Sequence, residues 1–548
     1  MISYIPKLRI FVCFTLFVFL PVFSAYSQDA FKWQKQELVF TSSIDYENAL
    51  QEVRFFEITF TSPTGQKKAI NGFWDGGRTW KARFMPWETG TWTYQTACSD
   101  TKNSGLNDIT GNFICKSGNA GHDIYTRGPV INPPGTFFLT HSDGTPFFWL
   151  ACTAWNGALK STDKEWDEYL GHRVANHYTA IQFVTTQWRG CDRSSEGLVA
   201  FEGSGRIKIN PEFFRLIDKK IDRINDYGLI AAPVVLWALQ SGAGRELSPG
   251  YYLPDDQAIL LAKYIMARYG ANHVVWFLGG DGNYTGTFEQ RWKTIGRALS
   301  DGKQQGIVAQ HPQGRSWIGE LYRDEPWLDI VGYQSSHSNA EATVNWITKG
   351  PMNQMWSRLP ARPLINLEPN YEEIRTTITD RDVRNASWWS LFATPIAGIS
   401  YGANGIWPWL QPGEKILNHS DAPWTSPWRP AIDLPGSIQM GYLAQFIRQF
   451  EWWTLYPSPE LLVKQPGDEQ FNHFVSLVKS IDNKTILGYL PVKLTLEIRK
   501  PVNAGYSVRW FDPVRNVYSG GTAKDKGETL VVTSPNDSDM LLILTRIN

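Results

Sequence analysis

The sequence predicts a multidomain chain: a central (β/α)8 TIM barrel flanked by an N-terminal β-sandwich and a C-terminal β-sandwich. Three observations carry this prediction. The 548 residues exceed one ordinary domain. Short apolar runs alternate with helical segments through the middle of the chain, as parallel strands covered on both faces by helices require. Strand-like segments punctuated by Gly and Pro, with no helical pattern between them, occupy both ends.

The first element is a leader over residues 1–27. Lys7 and Arg9 give it a positive start, an apolar run follows from Ile10 to Phe23, and Ala25-Tyr26-Ser27 offers small residues for cleavage. The run is too short for a membrane span. Cys13 has no small-residue cleavage site before it, so no lipid anchor is expected. The pattern predicts export to the periplasm or the extracellular space, with no transmembrane segment in the mature chain.

Residues 28–120 read as the first sandwich. Val53–Phe60 alternates apolar and polar in part, Ser62-Pro63-Thr64-Gly65 turns, Trp80–Met85 forms a second strand, Glu88-Thr89-Gly90 turns again, and Trp92–Thr96 forms a third.

Residues 121–456 read as the barrel. Its eight strand candidates are Phe147–Ala151, Thr179–Val184, Ile230–Leu236, Val274–Leu278, Ile307–Gln310, Ile330–Gln334, Leu364–Leu367 and Gly398–Tyr401. Thr162-Asp163-Lys164-Glu165 is a capping box for the first helix. Asn210-Pro211 opens the next, in which Phe214, Ile217, Ile221 and Ile224 recur at helical spacing before Tyr227-Gly228. Pro254 opens another that ends at Tyr269-Gly270; Thr287 and Asp380 are expected to cap later ones. The alternative is an open doubly wound sheet, but no Gly-rich phosphate loop follows the first strand. Residues 457–548 return to strands: Phe474–Val478, Thr485–Leu490, Leu494–Ile498, Ser507–Phe511 and Leu541–Leu544.

Charge is balanced, with 53 basic and 53 acidic residues, so nothing points to nucleic acid or an anionic membrane. The composition is unusual in its 25 Trp, 22 Tyr and 29 Phe, which fit either sugar-stacking faces or large β-domain cores. Export permits disulfides, and Cys98 with Cys115 or Cys152 with Cys191 could bridge; four cysteines allow three pairings. No Cys/His spacing resembles a zinc site, and no His-Glu-x-x-His of a metallopeptidase occurs.

A TIM barrel places its active site at the C-terminal ends of its strands. That rule selects Thr153, Trp155 and Asn156; Gln187, Trp188 and Arg189; Trp237; Asp281 and Asn283; His311 and Arg315; Gln334, Ser336 and His337; Asn366 and Glu368; and Asn404, Trp407 and Trp409. Two carboxylates, Asp281 after the fourth strand and Glu368 after the seventh, face each other across the mouth. Glycoside hydrolysis needs such a pair flanking the scissile bond. A strand-end acid can instead cap the following helix. That reading applies to Asp281 more than to Glu368, which ends an apolar strand and precedes Pro369. Asp192 and Glu196 compete for the acid role. Arg189 and Arg315 would recognise a carboxylated or sulfated sugar, or pair with local acids. Trp155, Asn156, Gln187, Trp188, Trp237, Asn283, His311, His337, Asn366 and Trp407 are the candidate substrate contacts.

Several motifs carry a resemblance. Residues 72–96, Gly-Phe-Trp-Asp-Gly-Gly-Arg-Thr-Trp and onward, are similar to a β-sandwich that precedes many bacterial polysaccharide-degrading barrels. Phe147-Phe148-Trp149-Leu150-Ala151-Cys152-Thr153-Ala154-Trp155, Trp276-Phe277-Leu278-Gly279-Gly280-Asp281-Gly282-Asn283 and Leu364-Ile365-Asn366-Leu367-Glu368-Pro369 resemble the apiosidase-like glycoside hydrolases. Trp510-Phe511-Asp512-Pro513 resembles a β-domain with a collagen-binding label that commonly trails such barrels. The resemblance implies a retaining glycosidase, with Asp281 as acid/base, Glu368 as nucleophile, and carboxyl groups about 5–5.5 Å apart. It implies an oligo- or polysaccharide substrate, of plant or algal origin, and neither cofactor nor metal. Where the family usually has Asp, this chain has Cys152, a position that the resemblance implies shapes the sugar pocket. The alternative is a non-catalytic glycan-binding or matrix-binding secreted protein. Oligomeric state is not encoded in any of these features.

Overall fold

A computed structural model of the chain describes residues 1, 29–118, 121–419 and 426–547. The leader, apart from Met1, lies outside the described residues.

Eight parallel strands close into a barrel in chain order. They are β1 (Trp149–Thr153), β2 (Ala180–Val184), β3 (Ile230–Trp237), β4 (Val275–Gly280), β5 (Ile307–Gln310), β6 (Ile330–Gln334), β7 (Leu364–Glu368) and β8 (Gly398–Tyr401). All but one of their residues are buried, which is why they read as unbroken apolar runs. The principal helices around them are α1 (Asp163–Ala175), α2 (Pro211–Asp226), α3 (Asp255–Tyr269), α4 (Glu289–Leu299), α5 (Gly319–Tyr322), α6 (Glu341–Lys349), α7 (Asp380–Phe392) and α8 (Pro435–Ile447).

The caps follow side-chain chemistry. Thr162 accepts from the Glu165 N–H while Glu165 reaches back to the Thr162 N–H, a complete capping box on α1. Asn210 accepts from the Glu212 N–H and Pro211 sits in the first turn of α2. Two expected caps shift. Asp380 is the first helical residue of α7, and Thr379 caps it through a box with Asp382. Thr287 falls inside a tight turn, Gly286–Phe288, and α4 begins after it.

The N-terminal region pairs a five-stranded sheet with a three-stranded one. Phe56, Ile58 and Phe60 turn inward from the strand Phe56–Thr61 onto Trp80, Phe84 and Trp92. The predicted strand from Val53 starts late because Ala49–Glu52 forms a helical turn. The C-terminal region has a six-stranded and a three-stranded sheet. Its strand Met540–Arg546 is apolar on both faces for a reason. Leu541 and Ile543 join the barrel's core, whereas Leu542 and Leu544 join the core between the two sheets.

Charged clusters fasten both β-regions to the barrel. On the N-terminal side, Arg83 Nη2 lies 2.8 Å from Asp218 of α2, and Arg268 of α3 lies 2.8 Å from Asp75 and 2.7 Å from Asp218. On the C-terminal side, Arg384 of α7 grips Asp539 through Nε and Nη2 at 2.8 and 2.9 Å, with both groups buried.

All four described cysteines are free and buried, so neither suggested bridge forms. Strand register explains the first pair. Cys115 lies opposite Gly90, and Cys98 ends that same strand eight residues further on. At about 3.3 Å per residue that is roughly 26 Å, far beyond disulfide reach. Among the described residues no helix is long and apolar enough to cross a membrane.

Candidate active site

The barrel's C-terminal mouth holds a cleft of ≈ 260 Å³, walled by Trp155, Trp188, Arg189, Trp237, Leu239, Asp281, Gln334, His337, Glu368, Tyr371, Ile374, Arg375, Trp407 and His419. Both candidate carboxylates are in this wall.

Local backbone chemistry places Asp281. The strand ends in Gly279-Gly280, where a Cβ on Gly280 would stand 2.7 Å from Val234 and 2.8 Å from the Trp237 ring. Only glycine lets that ring pack against the strand. Asp281 then takes a left-handed φ of 43°, a conformation for which Asp is among the more tolerant side chains. Its N–H donates to Nδ1 of His311 at 3.0 Å. A different irregularity places Glu368. Tyr333 pairs with Asn366 in register, but the next pair is Gln334 with Glu368, so Leu367 is an extra residue in β7. Such a bulge re-aims the side chain after it, as is common at barrel rims.

Two imidazoles hold Glu368. Nε2 of His337 donates to Oε1 at 3.0 Å, and Nε2 of His311 lies 3.3 Å from Oε2. Because His311 Nδ1 accepts the Asp281 N–H, its proton sits on Nε2, toward the carboxylate. Burial alone would raise Glu368, but His311 and His337 outweigh it and hold the carboxyl at about 2. Asp281 goes the other way. Burial raises it well above the ordinary carboxylate range, the charge of Glu368 adds to this, and Arg189 offsets only part. One cleft therefore holds two carboxyls displaced in opposite directions, Asp281 toward its protonated form and Glu368 toward its ionised form.

The remaining expected contacts divide into two groups. Trp155, Trp188, Trp237, His337 and Trp407 line the cleft. Trp155 bonds through Nε1 to the Tyr371 hydroxyl at 3.0 Å, and its ring lies 5.5 Å from that of Trp237. His311 is fully buried behind the wall. Asn156, Gln187, Asn283 and Asn366 are outside the wall, and their amides are engaged by the protein. Asn156 bonds Gly190, Pro408 and Trp188. Gln187 braces Phe201 and Ala200. Asn283 closes a turn on Thr285. Asn366 bonds Ser335 and Ser390. Asp192 lines a neighbouring cavity beside Lys160 and Glu414, Glu196 is exposed, and neither joins this wall. Trp409 stacks on Trp428 at 4.6 Å within the core.

Cys152 also lies apart from the cleft. It is fully buried beside Tyr169 and Arg173 of α1, so the departure from the family's Asp changes the packing behind β1 rather than the sugar pocket. Leu239, Tyr371, Ile374, Arg375 and His419 join the wall without having been singled out in the sequence. Tyr371 and Ile374 carry a usable signal, since both follow Glu368 within the β7 loop. Among the described residues no group of three or more His, Cys, Asp and Glu side chains could hold a metal ion.

Comparison with known proteins agrees with this architecture. Residues 134–454 match the model of the apiosidase-like catalytic domain, and residues 29–99 match a domain of unknown function, DUF5060. No curated protein matches the chain. Among solved structures, one titled glycoside hydrolase is similar with TM-score 0.65 and 22% identity, over 77% of this chain and 97% of its own. A family 5 glycoside hydrolase from Bacteroides vulgatus is similar with TM-score 0.67 and 21% identity, over 77% of this chain and 94% of its own. A candidate glycoside hydrolase from the same organism gives TM-score 0.70 at 17% identity, over 95% of this chain and 100% of its own. At such identities these structures establish a shared fold. With the family model spanning the whole barrel, the chain belongs to the apiosidase-like family of catalytic domains and is a glycosidase.

Proposed function

We propose that this glycosidase is a retaining enzyme for plant or algal polysaccharide fragments, with Glu368 as nucleophile and Asp281 as acid/base. The observation that carries the reading is two carboxyls in the wall of one cleft displaced in opposite directions: Glu368 toward its ionised form by His311 and His337, Asp281 toward its protonated form by burial and by Glu368.

The carboxylate of Glu368 attacks the anomeric carbon. As the glycosidic C–O bond breaks, Asp281 transfers its proton to the departing oxygen. Water then attacks the glycosyl–enzyme ester, Asp281 takes the water's proton, and Glu368 leaves as the free carboxylate. The cycle returns both groups to their starting states. The indoles of Trp155, Trp188, Trp237 and Trp407 give the cleft the apolar faces that cover sugar C–H bonds. The leader pattern at residues 1–27 supports export to the periplasm or beyond.

The test is sugar release from a panel of pectic, hemicellulosic and algal polysaccharides by wild type, Asp281→Ala and Glu368→Ala. Release by wild type and its near-complete loss in both variants is the expected result. Activity persisting in either variant removes that carboxylate from the mechanism. Proton NMR of the first-formed anomer decides stereochemistry, and inversion would overturn the nucleophile role.

A further inference from the structure

We propose that Gln334 contacts the substrate, hydrogen-bonding the sugar hydroxyl on the carbon next to the anomeric centre. The proposal rests on the reading of Glu368 as nucleophile.

Gln334 ends β6 and is buried in the cleft wall. The bulge at Leu367 makes it the direct cross-strand partner of Glu368, so the two side chains leave neighbouring strands on the same face. Oε1 of its amide is buried with no hydrogen-bond partner among the described residues. The amides of Asn156, Gln187 and Asn366, equally buried near the mouth, all have protein partners. Buried polar groups are nearly always paired in folded proteins. An unpaired amide oxygen at the wall of a cleft, beside the reacting carboxylate, fits a partner supplied by substrate.

Two more unpaired groups share the wall. Nε1 of Trp237 and Nε1 of Trp407 are buried without a partner, whereas Trp155 and Trp188 spend theirs on Tyr371 and Asn156. Gln334, Trp237 and Trp407 all line the same cavity. A polyhydroxylated ring, each hydroxyl both donor and acceptor, can satisfy all three. Of the two neighbours of an anomeric carbon at Glu368, the ring oxygen and the hydroxyl-bearing carbon, only the hydroxyl can both donate to and accept from the amide of Gln334, the cross-strand partner of Glu368. Bonds to that hydroxyl tighten as the oxocarbenium-like transition state forms.

The test uses Gln334→Met, which keeps length and removes the amide. The substrates are the aryl glycoside of the sugar that wild type releases and its 2-deoxy counterpart. The expected result is a thermal midpoint at or above that of wild type. On the parent glycoside kcat/KM should fall roughly 10²-fold, mostly in kcat. On the 2-deoxy glycoside the two enzymes should agree within about twofold. A lowered midpoint with equal losses on both substrates would make Gln334 structural and overturn the proposal, as would full activity on the parent. Glu368→Ala is assayed alongside. If it stays active while Gln334→Met discriminates the substrates as expected, the nucleophile reading fails and the contact stands.

Discussion

His337 donates from Nε2 to Oε1 of Glu368 across 3.0 Å, so the carboxylate's charge depends on an imidazole from the adjacent strand loop. His337→Ala removes one of the two groups that hold Glu368 near 2, and its carboxyl should move toward its ordinary 4.5. The proposed nucleophile role needs the carboxylate form. The acid limb of the kcat/KM–pH profile should therefore shift upward, with the loss setting in at higher pH than in wild type. The same shift sets a stability effect. The folded pKa lies below the unfolded one, so the stabilisation is complete above 4.5 and is lost as pH falls toward 2. Urea melts at pH 7 and pH 3 should show a smaller difference for the variant.

Asp281 must carry a proton to serve as acid, and its pKa is raised. Activity should fall as pH rises through that value, which makes Asp281 the basic limb of a bell-shaped profile. Asp281→Ala should lose about 10²–10⁴-fold on substrates with poor leaving groups. It should lose far less on a dinitrophenyl glycoside, and added azide should yield a glycosyl azide of retained configuration. Chromatography of the products checks this, and an azide of inverted configuration would contradict it.

Arg173 is wholly buried, and its Nε and Nη2 find no acceptor among the described residues; its guanidinium lies over the rings of Tyr169 and Tyr178 at 5.0 Å. Cys152 is its neighbour on β1. Cys152→Asp should supply the missing acceptor and stabilise the fold by about 1–3 kcal/mol, a charged hydrogen bond's worth. Differential scanning calorimetry measures it; a lower midpoint would show that the site cannot accommodate the carboxylate.

Asp539 is enclosed against Arg384 and Tyr489 at the seam between barrel and C-terminal sheet. Asp539→Ala leaves a buried guanidinium with only Asp380 and Gln439 for partners. The expected cost is about 3–5 kcal/mol, read as a fall in the urea midpoint. Arg384→Met together with Asp539→Leu should recover most of it.

The barrel was legible because periodicity and burial agree. Strands enclosed on both faces read as apolar runs, and Thr162 and Asn210 announce helix starts through oxygens that accept from the backbone two or three residues on. The position of Asp281 and Glu368 in the cleft wall was legible because strand ends are the mouth. Asn156 and Gln187, expected as substrate contacts, lie outside the cleft wall, and their partners Pro408 and Phe201 reach them only through the fold. Gln334 stood in the same list of strand ends. Its pairing with Glu368 follows from a one-residue bulge in a neighbouring strand, which no local pattern encodes.

The guanidinium of Arg268 is completely enclosed, and its counter-charges have two origins: Asp218 from the barrel's own α2, Asp75 from the N-terminal sheet. Burial would raise Asp218, yet Arg83, again from that sheet, and Arg268 hold it well below the usual range. Excising the first hundred or so residues would therefore strip partners from a helix pair on the far side of the cut and expose a charged core to water. For anyone recombining catalytic units between such enzymes, the smallest transferable piece is the sandwich and barrel together; a fusion joint placed between them cuts through shared electrostatics rather than through a linker.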